Sequence, residues 1–213
     1  MKQIILLIFI IFSYVNAYEF KLTKKDIKKI ENHEKKRFIV NRLQQYKKLK
    51  TKVKDYTLIK KLSHINSFVN RILPSLDIKT QGIGDHWSTP KEFLINGRGD
   101  CEDYVITKYF TFLELGIKKE NLYLSVVKVK GQRDMHMVLL YVEDKNKPPL
   151  VMDNLSFRVI SLTKRKKLIP QFAFNEIDSY KLTKEKFTQR VRINWGKDDK
   201  WNKLLKRVYV KNE

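Results

Sequence analysis

The chain has 213 residues, 42% of them hydrophobic and 12% aromatic, which suffices for one well-buried core but not for two. Seven glycines and five prolines exclude a repeat or collagen-like protein, and 32% charged residues interleaved with apolar ones exclude a disordered chain. The net charge of +22 rests on 35 Lys and only 10 Arg, a balance that argues against a nucleic-acid reader, and the single cysteine excludes any intrachain disulfide or all-cysteine zinc site.

In chain order, Lys2, the apolar run Ile4 to Phe12 and the segment Ser13-Tyr14-Val15-Asn16-Ala17 read as a secretory signal peptide over residues 1–17. An uncleaved N-terminal anchor is the alternative. The expected product is an exported, soluble protein with one domain over residues 18–213, which meets no nucleic acid. Residues 18–75 form its basic helical part: residues 21–61 hold 16 basic and 4 acidic side chains, a basic face on a helical region.

Residues 23–50 lack Gly and Pro and favour helix, with loose apolar spacing at Ile27, Ile30, Phe38, Leu43 and Tyr46. Leu58, Leu62, Ile65, Val69 and Ile72 share one helical face that Pro74 ends. Four of the seven glycines (Gly82, Gly84, Gly97, Gly99) fall between Gln81 and Gly99 together with Trp87 and Pro90, which marks a shaped loop. Cys101, Tyr104, Val105, Lys108, Tyr109, Phe112 and Leu113 then repeat at helical spacing up to a Gly116 cap, so the cysteine opens a helix. Strand patterns follow at Leu122 to Val129, Met135 to Val142 and Leu150 to Leu155, with shorter ones at Phe157 to Leu162, Phe172 to Ile177 and Gln189 to Trp195. A short helix near Trp201 to Leu205 closes the pattern. The simplest topology is a meander, and a central helix packed on an antiparallel sheet is an α+β fold.

A cysteine at a helix N-terminus is placed for thiolate chemistry, whereas a buried inert thiol is the commoner fate of a free cysteine. A thiolate nucleophile needs a base. Of His33, His64, His86 and His136, the last lies in a strand, sharing its alternation with Val138 and Leu140 on a face that can abut the cysteine helix. Asp153 sits in the apolar strand Leu150 to Leu155, where a carboxylate needs a partner. Antiparallel pairing with the His136 strand would let it accept from the second imidazole nitrogen. Asp100, Glu102 and Asp103 crowd three carboxylates about the cysteine. They read either as ligands for a hard cation or as favourable helix N-terminal acids, with Asp100 the cap.

The segments Trp87 to Leu94, Gly97 to Tyr104, Lys108-Tyr109, Leu115-Gly116, His136 to Leu139 and Asp153-Asn154-Leu155 together resemble the bacterial transglutaminase-like cysteine proteinases of the LapG type. The resemblance is strong over residues 85–157 and weak elsewhere. It implies a papain- and transglutaminase-like fold with N-terminal helices, and a periplasmic endopeptidase whose triad is Cys101, His136 and Asp153. It further implies calcium close to the nucleophile, on Asp100 and Glu102 and with Asp103 as a third acid. The implied substrate is the N-terminal region of a large surface adhesin, cut near a di-alanine sequence to control biofilm attachment. The implied inhibitor is an inner-membrane cyclic-di-GMP receptor of the LapD type. For the oxyanion, the Cys101 N–H needs a second donor: Trp87 Nε1 is one choice, against a role as core anchor, and Gln81 and His86 are others. The same triad would also serve a transglutaminase or amidase on cell-envelope peptides, and a non-catalytic binding module is the third reading. Oligomeric state is not legible.

Overall fold

A computed structural model describes residues 18–75 and 86–209. The signal-peptide reading of residues 1–17 and the candidate donor Gln81 lie outside the described residues, as do Gly82 and Gly84.

The basic N-terminal part folds as α1 (Lys24–Glu31), α2 (Lys36–Val53) and α3 (Leu58–Val69). Thr23 and Asp26 close a capping box that starts α1. The loose spacing has a simple outcome: Ile30 and Tyr46 are buried while Ile27 and Phe38 stay exposed. The helix α3 stops at Val69, earlier than the apolar period predicts. Leu73 precedes a proline and is driven from helical into extended backbone, so Leu73–Pro74 forms β1 instead.

The glycine-rich loop contains a helix that the expected loop does not include, α4 (Pro90–Asn96). Its signal is local: Thr89 caps it, Pro90 takes the first position, and the Glu92 carboxylate accepts the Thr89 N–H at 2.7 Å. Gly97, at φ +70°, ends α4, and β2 (Arg98–Gly99) then pairs parallel with β1. The space there is tight, since a Cβ on Gly99 would lie 2.3 Å from Asp103 Oδ2 and 2.8 Å from the Phe93 ring.

Next comes α5 (Cys101–Glu114), the centre of the molecule, whose residues from Asp103 to Phe112 are all buried. It ends as expected at Leu115-Gly116, where the Ile117 N–H reaches back to the Phe112 carbonyl at 2.9 Å.

The sheet is formed by β3 (Leu122–Val129), β4 (Met135–Tyr141), β5 (Leu150–Asp153), β6 (Ser156–Ser161), β7 (Leu168–Phe174), β8 (Ser179–Leu182) and β9 (Phe187–Arg190). All pairs are antiparallel, in the order β6-β5-β4-β3-β7-β8-β9, so the meander holds for the first four strands and β7 then crosses back to pair with β3. Both faces carry apolar side chains. Leu122, Leu124, Met137, Leu139 and Met152 pack with the helices, while Tyr123, Val138, Leu140 and Val151 join Leu162, Leu168 and Phe187 in a second cluster. Helix α5 lies over β4 and β3, and α3 lies over β6 and β5.

A last helix, α6 (Lys200–Tyr209), runs longer than the expected turn around Trp201. Its Arg207 donates to both Glu92 oxygens at 3.0 and 3.1 Å and to the Trp87 carbonyl, and lies 3.0 Å from His86 Nε2. The last helix thus fastens the segment that leads into the cysteine. None of the described helices is long and apolar enough to cross a membrane.

Candidate active site

Cys101 occupies the first position of α5, directly after the Asp100 cap, and is partly exposed. The helix brings its sulfur to the start of β4, where the Met137 backbone N–H is directed at it. The residue before Met137 is His136, so the sulfur lies at the end of β4 that carries the imidazole. The alternation argument requires a correction here. Val138 and Leu140 belong to the far-side cluster, and the strand turns Met137 and Leu139 toward the cysteine helix.

His136 Nε2 lies 2.8 Å from Asp153 Oδ1. Asp153 ends β5 beside a register shift between Val151 and Asp153, the kind of irregularity that re-aims a side chain at a strand end. It is fully buried and richly held. Oδ1 also accepts the Leu155 N–H at 2.9 Å, Oδ2 is paired with Arg165, and Asn70 Nδ2 donates to the Asp153 carbonyl at 2.8 Å. Burial pushes this carboxyl upward, but the bond and charge of His136, the Leu155 N–H and the Arg165 charge outweigh it and hold the carboxyl below its ordinary value. An ionised carboxylate only accepts, so Nε2 carries the proton that it shares with Asp153. Nδ1 is left as the ring nitrogen that takes a proton from elsewhere.

The thiol itself is not activated by the helix end alone. Burial, then the charge and hydrogen bond of Glu102, then the Asp100 charge push the Cys101 pKa well above the ordinary thiol value, against the opposing Met137 N–H. The sulfur donates to Glu102 Oε2 at 3.1 Å. Asp103 also has a structural role. Buried at 1% exposure, it accepts the Ser88 N–H at 2.8 Å through Oδ1 and the Asp100 N–H at 3.4 Å through Oδ2, which makes it a cap and loop anchor. Among the described residues no three acidic, histidine or cysteine side chains gather as a cation site. Asp100 and Glu102 remain the two carboxylates whose charge opposes thiolate, which is the chemistry a divalent cation fits.

The Trp87 ring stacks with Phe174 and meets Trp195 and Trp201 edge-on, the core-anchor placement. His86 belongs to the Arg207 and Glu92 cluster, and His64 packs on Tyr56. Sequence reasoning missed Arg165, Asn70 and the buried Lys108. Arg165 is one of four successive basic residues, and nothing in that run distinguishes it. Lys108 did leave a trace, as a lysine inside an apolar helical stripe.

A profile of the bacterial transglutaminase-like cysteine proteinases (BTLCP) matches residues 22–172. The fold is similar to three solved structures of LapG from Legionella pneumophila. The EGTA-treated form is 26% identical with a TM-score of 0.69, covering 85% of this chain and 94% of that one. A second LapG structure is 27% identical with a TM-score of 0.68 over 85% and 94%. The calcium-bound form is 27% identical with a TM-score of 0.69 over 86% and 97%. No curated protein matches the sequence.

Proposed function

Since the chain belongs to the bacterial transglutaminase-like cysteine proteinases, we propose that it is an exported, periplasmic, calcium-dependent endopeptidase. Its substrate is the N-terminal region of a large surface adhesin, cut near a di-alanine sequence to control biofilm attachment. A LapD-type cyclic-di-GMP receptor of the inner membrane restrains it. The observation that carries the proteinase reading is the 2.8 Å pair of His136 and Asp153 at the end of β4 where the Cys101 sulfur lies.

The reaction divides into two acyl transfers. Cys101 Sγ attacks the peptide carbonyl carbon as its proton passes to His136 Nδ1, and the buried Asp153 carboxylate stabilises the imidazolium through Nε2. The Cys101 backbone N–H, at the helix N-terminus, meets the oxyanion. The tetrahedral intermediate collapses to a thioester as the C–N bond breaks, and the leaving amine takes the proton from His136. Water then attacks the thioester, giving its proton to His136, and Cys101 departs and recovers it. Asp100 and Glu102 would hold calcium, which when bound offsets the negative charge that disfavours thiolate.

The test is incubation of the purified protein, with calcium, with an adhesin N-terminal fragment, and separately with a glutamine substrate and a fluorescent amine. One new fragment by mass spectrometry, absent with Cys101→Ala, is expected. Amine incorporation without cleavage would replace hydrolysis by transamidation.

A further inference from the structure

Cys101, Val105, Lys108 and Phe112 recur at intervals of four, three and four and so form one stripe of α5, with Lys108 about 10 Å along the axis from the cysteine. The Lys108 side chain is fully buried, and its Nζ has no hydrogen-bond partner. A buried ammonium without a partner is costly, whereas a leucine or methionine would fill the same space at no such cost. Packing therefore does not explain the lysine.

The opposite charge that acts on Lys108 is Asp153. The Asp153 oxygens are already bonded to His136, the Leu155 N–H and Arg165, so Lys108 acts on it by charge through the low-dielectric interior. The elements packed on α5 are α3, α4, β3 and β4; the cationic or titratable partners bonded to Asp153 are His136 on β4 and Arg165 in the turn after β6, while Asn66 of α3 and its cap Asn70 are uncharged. The β3 residues packed with the helices, Leu122 and Leu124, are apolar.

We propose that Lys108 is a positioning residue of the triad, a second cation behind Asp153 that keeps the carboxylate ionised and turned toward His136. Two cations then balance a carboxylate that is wholly removed from water, and the nucleophile helix itself supplies one of them. Burial pulls the Lys108 amine down to about 7 against the Asp153 charge, so the ammonium is well populated at pH 6. The inference rests on the proteinase reading for its catalytic consequence, but the electrostatic link does not.

The experiment compares wild type, Lys108→Met and Lys108→Arg at pH 6. It reads the downfield proton resonance of the His136–Asp153 hydrogen bond without substrate, kcat and KM on a cleavable peptide, and thermal midpoint. In Lys108→Met the resonance is expected to move, kcat to fall on the order of tenfold with KM unchanged, and the midpoint to hold or rise. Lys108→Arg, where it folds, is expected to keep the wild-type resonance and kcat. An unmoved resonance with unchanged kcat in Lys108→Met overturns the proposal, as does equal loss in both variants, which would mean that shape and not charge matters. A moved resonance in a protein whose wild type cleaves nothing overturns the proteinase reading while leaving the Lys108–Asp153 link in place.

Discussion

His136 Nε2 and Asp153 Oδ1 stand 2.8 Å apart, and the partner oxygen of the same carboxylate is gripped by Arg165. The acid is thus fixed from both sides, and the imidazole has one nitrogen left for the nucleophile. Replacing Asp153 by Asn keeps the shape but changes which proton Nε2 faces. The expected result is a kcat loss on the order of 10²–10⁴-fold with little change in KM, read by peptide cleavage. A loss below tenfold would remove Asp153 from the mechanism.

Arg165 should matter for stability as well as for rate. Its removal leaves a buried carboxylate one cation short, so Arg165→Ala is expected to cost about 3–5 kcal/mol in urea unfolding. A companion Asp153→Asn, Arg165→Ala double variant should lose less than the sum of the single losses. Strict additivity would mean that the pair is not coupled.

The pH dependence of stability carries a signature of Lys108. Its folded pKa of about 7 lies below the roughly 10.4 of a lysine in an unfolded chain. Between those values the unfolded state binds the extra proton, so stability rises with pH across that window. Lys108→Met should abolish the rise, compared by urea unfolding at pH 7 and pH 9. The same increment in both proteins would contradict the buried charge.

Calcium should show in the thiol before it shows in catalysis. Glu102 and Asp100 raise the Cys101 pKa, so iodoacetamide should alkylate the wild type faster at neutral pH in calcium than in EGTA, and Glu102→Gln in EGTA should react faster than wild type in EGTA. The chelator is also expected to abolish cleavage and lower the thermal midpoint. Equal alkylation rates with and without calcium would separate the cation from the nucleophile.

Gly99 has no room for a side chain. Gly99→Ala drives a methyl into Asp103 and Phe93, two anchors of the turn before Cys101, and should cost about 1–3 kcal/mol with a fall in kcat. Gly116→Ala is a contrasting control, because a Cβ there meets nothing within 4 Å and its penalty comes only from φ +81°.

Much of this site is written locally in the chain. The helical period names α5 and its first residue, and the strand patterns place His136 and Asp153 on two strands that prove to be neighbours in the sheet. A capping box at Thr89 and Glu92 was equally legible, yet the glycines around it mask a seven-residue helix. What sequence could not supply were meetings across long separations. Arg165 reaches Asp153 because β6 returns the chain past β5, and nothing in a run of four basic residues says which one turns inward. The same holds for the thiol, since a helix N-terminus favours thiolate in isolation while burial and two acids reverse the sign.

The Arg207 clasp on Glu92 and the Trp87 carbonyl orders events in time. Arg207 follows the cysteine in the chain by about a hundred residues, so an interrupted chain carries its nucleophile on an unfastened approach. Proteolytic competence is therefore expected to arrive with the closing helix. A chain truncated after Asp199 is the direct check: it should retain Cys101 and its helix but fail to cleave.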